Sequence, residues 1–82
     1  MGNQTQKNVA IYSTPSCHYC HLAKAFFKKN NIEFTDYDVT TSPDKRQEMI
    51  EKTGQLGVPV IEVDGELTIG FNEKHLRTLL GM

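Results

Sequence analysis

Eighty-two residues with 38% hydrophobic and 23% charged side chains suffice for one domain with a modest core, and the composition is not that of a disordered tail. A net charge of −1 offers no electrostatic footprint for nucleic acid or an anionic membrane surface. No apolar run approaches the roughly 18 residues a membrane span needs, and residues 1–7 are polar without a signal-peptide core, so the expectation is a cytoplasmic chain forming a single domain over residues 1–82, of which 1–7 are a flexible N-terminus.

Along the chain, strand and helix signals alternate. Asn8 to Ser13, with Val9, Ala10, Ile11 and Tyr12 inside it, reads as a short strand buried on both faces. Thr14-Pro15-Ser16 breaks it and leads into a helix ending near Lys29-Asn30-Asn31, with Leu22, Ala23, Phe26 and Phe27 on its inner side. A second strand is expected from Glu33 to Val39. Ser42 then caps a second helix, Pro43 takes its first position, and Asp44 adds favourable charge to the first turn. Met49, Ile50 and Thr53 supply the inner face of that helix, and Gly54 ends it. Two β-runs, Val58 to Val63 and Glu66 to Gly70, flank Asp64-Gly65, a strong hairpin signal. Asn72 caps a last helix carrying Leu76, Leu79 and Leu80, with Gly81 beyond it. The order β-α-β-α-β-β-α predicts an α/β fold: a parallel pair from the right-handed crossover, an antiparallel hairpin, and a four-stranded mixed sheet with helices on both faces.

The chemistry concentrates at Cys17-His18-Tyr19-Cys20, which holds both cysteines of the chain. Cys17 falls at the N-terminus of the first helix, where unpaired backbone N–H groups and the helix dipole favour a thiolate. Cys20 lies on nearly the same helical face and is placed to close a disulfide with it. In a reducing compartment such a pair reads as a redox motif. Cys17 is then the exposed attacking thiol, and Cys20, further into the helix, resolves the mixed disulfide. A zinc site is the competing class, but it needs four ligands. His18 and His21 do not easily join both cysteines from one helix turn, and His75 is distant, so no metal site is assigned within the chain. A cluster bridging two copies, which together supply four thiolates, stays open. So does a redox-sensing module without turnover.

Three segments carry a resemblance. Ile11-Tyr12-Ser13-Thr14-Pro15-Ser16-Cys17-His18-Tyr19-Cys20 resembles the active-site segment of the glutaredoxins. Thr53-Gly54-Gln55-Leu56-Gly57-Val58-Pro59-Val60 is similar to that family's segment ending in a cis-proline, and Ile69-Gly70-Phe71 with its capped helix resembles the C-terminal glycine motif. The resemblance implies a thioredoxin fold and thiol–disulfide exchange, with no bound cofactor and with glutathione as co-substrate. It implies a cis Val58–Pro59 bond facing the cysteines, with the Val58 backbone open to an extended substrate. Tyr12, Pro15, His18 and Tyr19 become neighbours of the active site, with Tyr12 either flanking the sulfurs or packing in the core. Thr14, Val58, Pro59, Gly70, Phe71 and Asn72 become the substrate or glutathione site. The implied partners are protein disulfides and a reductant, with a monomer as the expected state.

Against the family pattern, His18 stands where glutaredoxins usually carry Pro, and as a cation it would stabilise the Cys17 thiolate. Thr14 replaces a frequent Lys, Gly57 the usual Thr, and Gly70-Phe71-Asn72-Glu73 the usual Gly-Gly-Cys-Asp. Gly70-Phe71 is also similar to the glutaredoxin-like hydrogen donors of ribonucleotide reductase, which take electrons from thioredoxin reductase. Two reductants therefore stand side by side: glutathione and thioredoxin reductase.

Overall fold

The structure, a computed structural model, describes residues 8–82. The polar stretch 1–7, with the flexibility expected of it, lies outside the described residues. Four strands and three helices follow in the expected order: β1 (Val9–Ser13), α1 (His18–Lys29), β2 (Thr35–Asp38), α2 (Pro43–Thr53), β3 (Val60–Val63), β4 (Glu66–Ile69) and α3 (Glu73–Leu80). The sheet order is β2-β1-β3-β4. β1 pairs parallel with β2 and antiparallel with β3, and β3 and β4 form the antiparallel hairpin. Its turn needs positive φ at both central residues, which Asp64 (50°) and Gly65 (88°) supply.

Strand alternation sorts the core into two layers. Val9 and Ile11 of β1, with Ile61 and Val63 of β3, face one side, where Ala23, Phe26 and Phe27 of α1 and Leu76 of α3 cover them. Tyr12 and Val60 face the other side and meet Met49 of α2 and Val39. Helices therefore lie on both faces, as the element order predicts. The inner side of α1 differs from expectation in one residue: Leu22 is 38% exposed, and Cys20 takes its place against the sheet. Cys20, Ala23 and Phe27 follow i, i+3 and i+7, the spacing of a single helix stripe, and Leu22 falls off it.

Helix ends follow local chemistry, with one exception. Gly54 and Gly81 end α2 and α3 in the left-handed conformation. Ser42 occupies the N-cap position of α2, but its side chain makes no capping bond. The turn is fixed instead by Asp38, whose carboxylate accepts from Thr40 N–H at 2.9 Å and whose carbonyl accepts from Ser42 N–H at 3.1 Å. Pro43 brings no N–H to be satisfied.

Over the outer part of its face, α2 is held by charge. Lys52 Nζ lies 3.2 Å from Glu48 Oε2 and 3.0 Å from Glu62 Oε1 on β3, while Lys45 Nζ reaches Glu48 Oε1 at 3.0 Å. Tyr12 donates from its hydroxyl to Glu48 Oε2 at 2.9 Å. Hydrogen bonds from Lys45 first, then from Tyr12 and Lys52, bring the Glu48 carboxyl down to about 2 from its ordinary 4.5. A carboxyl lowered on folding contributes stability above its unfolded value and loses it as pH falls through the folded one. The stabilisation from Glu48 is thus expected to fade between pH 4.5 and about 2. Glu48→Gln removes it already at neutral pH, so thermal midpoints of the variant should fall less steeply across that interval. Parallel curves for the two proteins would exclude Glu48 as an acid-sensitive tie.

Candidate active site

Cys17 immediately precedes α1, with φ −84° and ψ 115°, the extended backbone of an N-cap. Its carbonyl accepts from His21 N–H at 3.2 Å, and its own N–H donates to Thr14 O at 3.3 Å, closing the Thr14-Pro15-Ser16 turn. A helix start leaves its first N–H groups without backbone partners, and an N-cap side chain normally accepts one of them. Here the acceptor is sulfur: Cys20 N–H donates to Cys17 Sγ at 3.2 Å. The Cys17 sulfur is thus built into the cap, with a backbone donor and the positive end of the helix aimed at it.

The two thiols live in different surroundings. Both are free; Cys17 is half-buried and Cys20 fully buried. Burial, and then the hydrogen bond with Cys17, pushes the Cys20 thiol up to about 12, against the opposing pull of the Thr14 backbone and the Lys24 charge. At neutral pH Cys20 therefore holds its proton.

The surrounding side chains divide into rim, floor and core. His18 and Tyr19 are exposed, their rings meeting edge-on with centroids 5.5 Å apart, and Tyr19 is 59% exposed beside Cys17. Pro15 is exposed on the loop, and His21 Nε2 lies 2.7 Å from its carbonyl oxygen. A carbonyl only accepts, so the ring carries its proton on Nε2 and pins the loop to the first turn of α1. His21, discounted in the sequence as a metal ligand, is a loop tether. Tyr12 is 1% exposed, with its ring against Tyr37 (centroids 5.3 Å apart) and its hydroxyl on Glu48. Of its two readings, the structure places it in the core beneath α2 and not over the sulfurs.

Pro59 is buried and the Val58–Pro59 peptide is cis. Its carbonyl accepts from Gly70 N–H at 2.8 Å, which joins this segment to the end of β4. Gly70 adopts φ +87°, Phe71 turns inward to pack on Phe26 with centroids 6.0 Å apart, and Asn72 caps α3 by accepting from His75 N–H at 3.1 Å. Glu73 is paired with Arg77 at 3.0 Å, so its charge at the start of α3 is partly offset.

Thr14 also lines a cleft of about 510 Å³ with Val39, Pro43, Arg46, Met49 and Leu56. This wall was not legible in the motifs. It forms where the loop after β2, the first turn of α2 and the loop before Pro59 converge. Arg46 is exposed there and makes no ion pair among the described residues; Leu56 is 54% exposed. A lone Arg in a helix full of charges carries no sequence signal of its own. Among the described residues no three or more His, Cys, Asp or Glu side chains are grouped to hold a metal ion.

Residues 9–68 match the glutaredoxin family model. A glutaredoxin-like 8.6 kDa protein of the rubredoxin operon of Clostridium pasteurianum is 40% identical over 72 residues, covering 88% of this chain and 96% of the relative. Glutaredoxin 3 of Escherichia coli K12 is 37% identical over 68 residues, 83% of this chain and 82% of the relative. Among solved structures, the thioredoxin-like protein BC3987 superposes with a TM-score of 0.83 at 29% identity, covering 89% of this chain and all of that one.

Proposed function

Because the chain belongs to the glutaredoxin family of thiol–disulfide oxidoreductases, we propose that it reduces protein disulfides and glutathione mixed disulfides by two-thiol exchange. The observation that carries this reading is the asymmetry of the pair: Cys17 at the helix cap, Cys20 buried and protonated one turn on. The Cys17 thiolate attacks one substrate sulfur, forming a mixed disulfide and releasing the other sulfur as a thiolate. Cys20 then loses its proton and attacks Cys17, forming the Cys17–Cys20 disulfide and releasing the second substrate thiolate. Two electrons pass from the cysteine pair to the substrate. Val58 and Pro59, with Tyr19 opposite, flank the approach to Cys17.

Glutathione is the proposed reductant, and thioredoxin reductase the alternative. The cleft beside Thr14 presents the guanidinium of Arg46, without an ion pair among the described residues, which suits a peptide carboxylate. The Gly70-Phe71-Asn72 corner leads into α3, and the N–H groups at the start of that helix are proposed as a second place for a carboxylate. The chain is proposed to act as a cytoplasmic monomer without nucleic-acid or membrane partners; among the described residues no helix is long and apolar enough to cross a membrane.

NADPH consumption tests the reading, with glutathione and glutathione reductase in one arm and thioredoxin reductase alone in the other. Turnover in the glutathione arm is expected, and Arg46→Gln should lower kcat/KM for a glutathione mixed disulfide about tenfold, the worth of one charge-assisted hydrogen bond. Turnover only in the second arm would replace glutathione by thioredoxin reductase. Silence in both, with reduced Cys17, would return the protein to the sensing or cluster-bridging readings.

A further inference from the structure

On the α1 side of the sheet, three polar side chains meet. Ser13, at the end of β1, is 1% exposed and donates from Oγ to Asp36 Oδ1 at 2.7 Å. The other oxygen of Asp36 lies 2.7 Å from Lys24 Nζ, whose side chain is only 19% exposed. Asp36 pairs in register with Ile11, so it shares the sheet face that α1 covers. Lys24 follows Cys20 by one helical turn, and residues at that spacing lie one above the other on the same face. A lysine normally extends its ammonium into water. Here the ammonium is held against β2 by a carboxylate to which Ser13 itself donates.

The Cys20 thiol needs such a charge. Burial keeps Cys20 protonated, and Cys17 adds to that effect through its hydrogen bond and its charge. When Cys17 is tied to substrate sulfur, its contribution as a thiolate ends. Burial is then opposed by the Thr14 backbone and the Lys24 ammonium. The charged and titratable groups acting on Cys20 are Cys17 at the cap of its helix and Lys24 on the helix itself; Lys24 in turn faces Asp36 and Asp38 on β2.

We propose that Lys24, held in place by Asp36 and Ser13, is a positioning residue for the resolving step, its ammonium stabilising the Cys20 thiolate as that sulfur attacks the Cys17 mixed disulfide. In this step Cys20 gives its proton to solvent water and its sulfur bonds to Cys17. The bond from Cys17 to the substrate sulfur breaks, and the departing thiolate takes up a proton. Lys24 keeps its own protons throughout. The inference rests on the two-thiol reading above and adds to it the group that makes the second thiol reactive.

One equivalent of a dithiobis-nitrobenzoate separates the two steps in the full chain, which has only the two cysteines. The first coloured thiolate released reports attack by Cys17; the second reports resolution by Cys20. Measured against pH, Lys24→Met is expected to slow the second release about tenfold near neutrality and to raise its midpoint by about one unit. Lys24→Arg, which keeps the charge, should restore both. A midpoint in Lys24→Met equal to that of the wild type overturns the proposal, because loss of a purely structural tie does not move it in step with the charge. Should Lys24→Met not fold, Lys24→Gln, which keeps a hydrogen-bond donor for Asp36 but carries no charge, should move the midpoint in the same direction; no movement there overturns the proposal equally. Absence of the first release in the wild type is a different failure, that of Cys17 as nucleophile, and it removes the two-thiol reading together with this inference.

Discussion

Cys17→Ser is expected to abolish every thiol–disulfide reaction of this chain while leaving its fold in place. Serine is among the preferred N-cap residues, so the Cys20 N–H that now donates to sulfur keeps an acceptor. The thermal midpoint should therefore stay close to that of the wild type, although disulfide reduction falls to background. Cys20→Ala is expected to part the two activities. Alanine leaves no hydroxyl unsatisfied at a fully buried position. Cys17 then still takes glutathione from a mixed disulfide, but the protein-disulfide reaction halts at the covalent intermediate, because the neighbouring thiol and its high effective concentration are gone. Mass spectrometry of the trapped adduct checks this result. Full protein-disulfide turnover by Cys20→Ala would sink the resolving role.

The second large effect concerns Phe27. Its side chain is fully buried, with ring centroids 5.8 Å from Phe26 and 5.1 Å from Phe34, and it packs between α1 and the β1–β3 pair. Phe27→Ala should cost about 3–5 kcal/mol, the lost transfer energy together with the cavity left behind. A domain of this length has only about 4–12 kcal/mol in total. The expected fall in thermal midpoint is about 15–30 °C, enough to leave the variant partly unfolded under ordinary conditions. Leu22→Ala on the same helix is the comparison: Leu22 is 38% exposed, and the change should be within about 0.5 kcal/mol. Equal losses at the two positions would mean that α1 buries a different stripe.

Much of the fold could be read from the sequence because its signals are local. The Asp64-Gly65 turn, the Asn72 cap and the terminal glycines Gly54 and Gly81 act within a few residues, and the structure uses each of them. The helical period placed Phe26 and Phe27 inward; Leu22 was misplaced because the buried stripe runs through Cys20 and leaves Leu22 at its edge. What could not be read is what depends on distant partners. Tyr12 is drawn beneath α2 by Glu48, Ser13 is joined to Lys24 through Asp36, and Arg46 comes beside Thr14 only when three separate segments converge. His21 was missed for another reason. Its partner is the carbonyl of Pro15, and a backbone acceptor has no side-chain identity from which to foresee it.

The two faces of the sheet hold their helices by unlike means. α1 buries Cys20, Ala23, Phe26 and Phe27, whereas α2 buries Met49 alone and relies on its lysines and Glu48 for the rest. Ionic contacts at a half-exposed surface weaken with salt and acid, while hydrocarbon packing does not. Local opening is therefore expected at α2 before the sheet and α1 give way. The thiols ride on the durable unit, and the wall carrying Pro43, Arg46 and Met49 rides on the yielding one. The sulfur pair thus sits on a rigid seat beside an adjustable wall: the cleft can change shape while the geometry of the pair stays set.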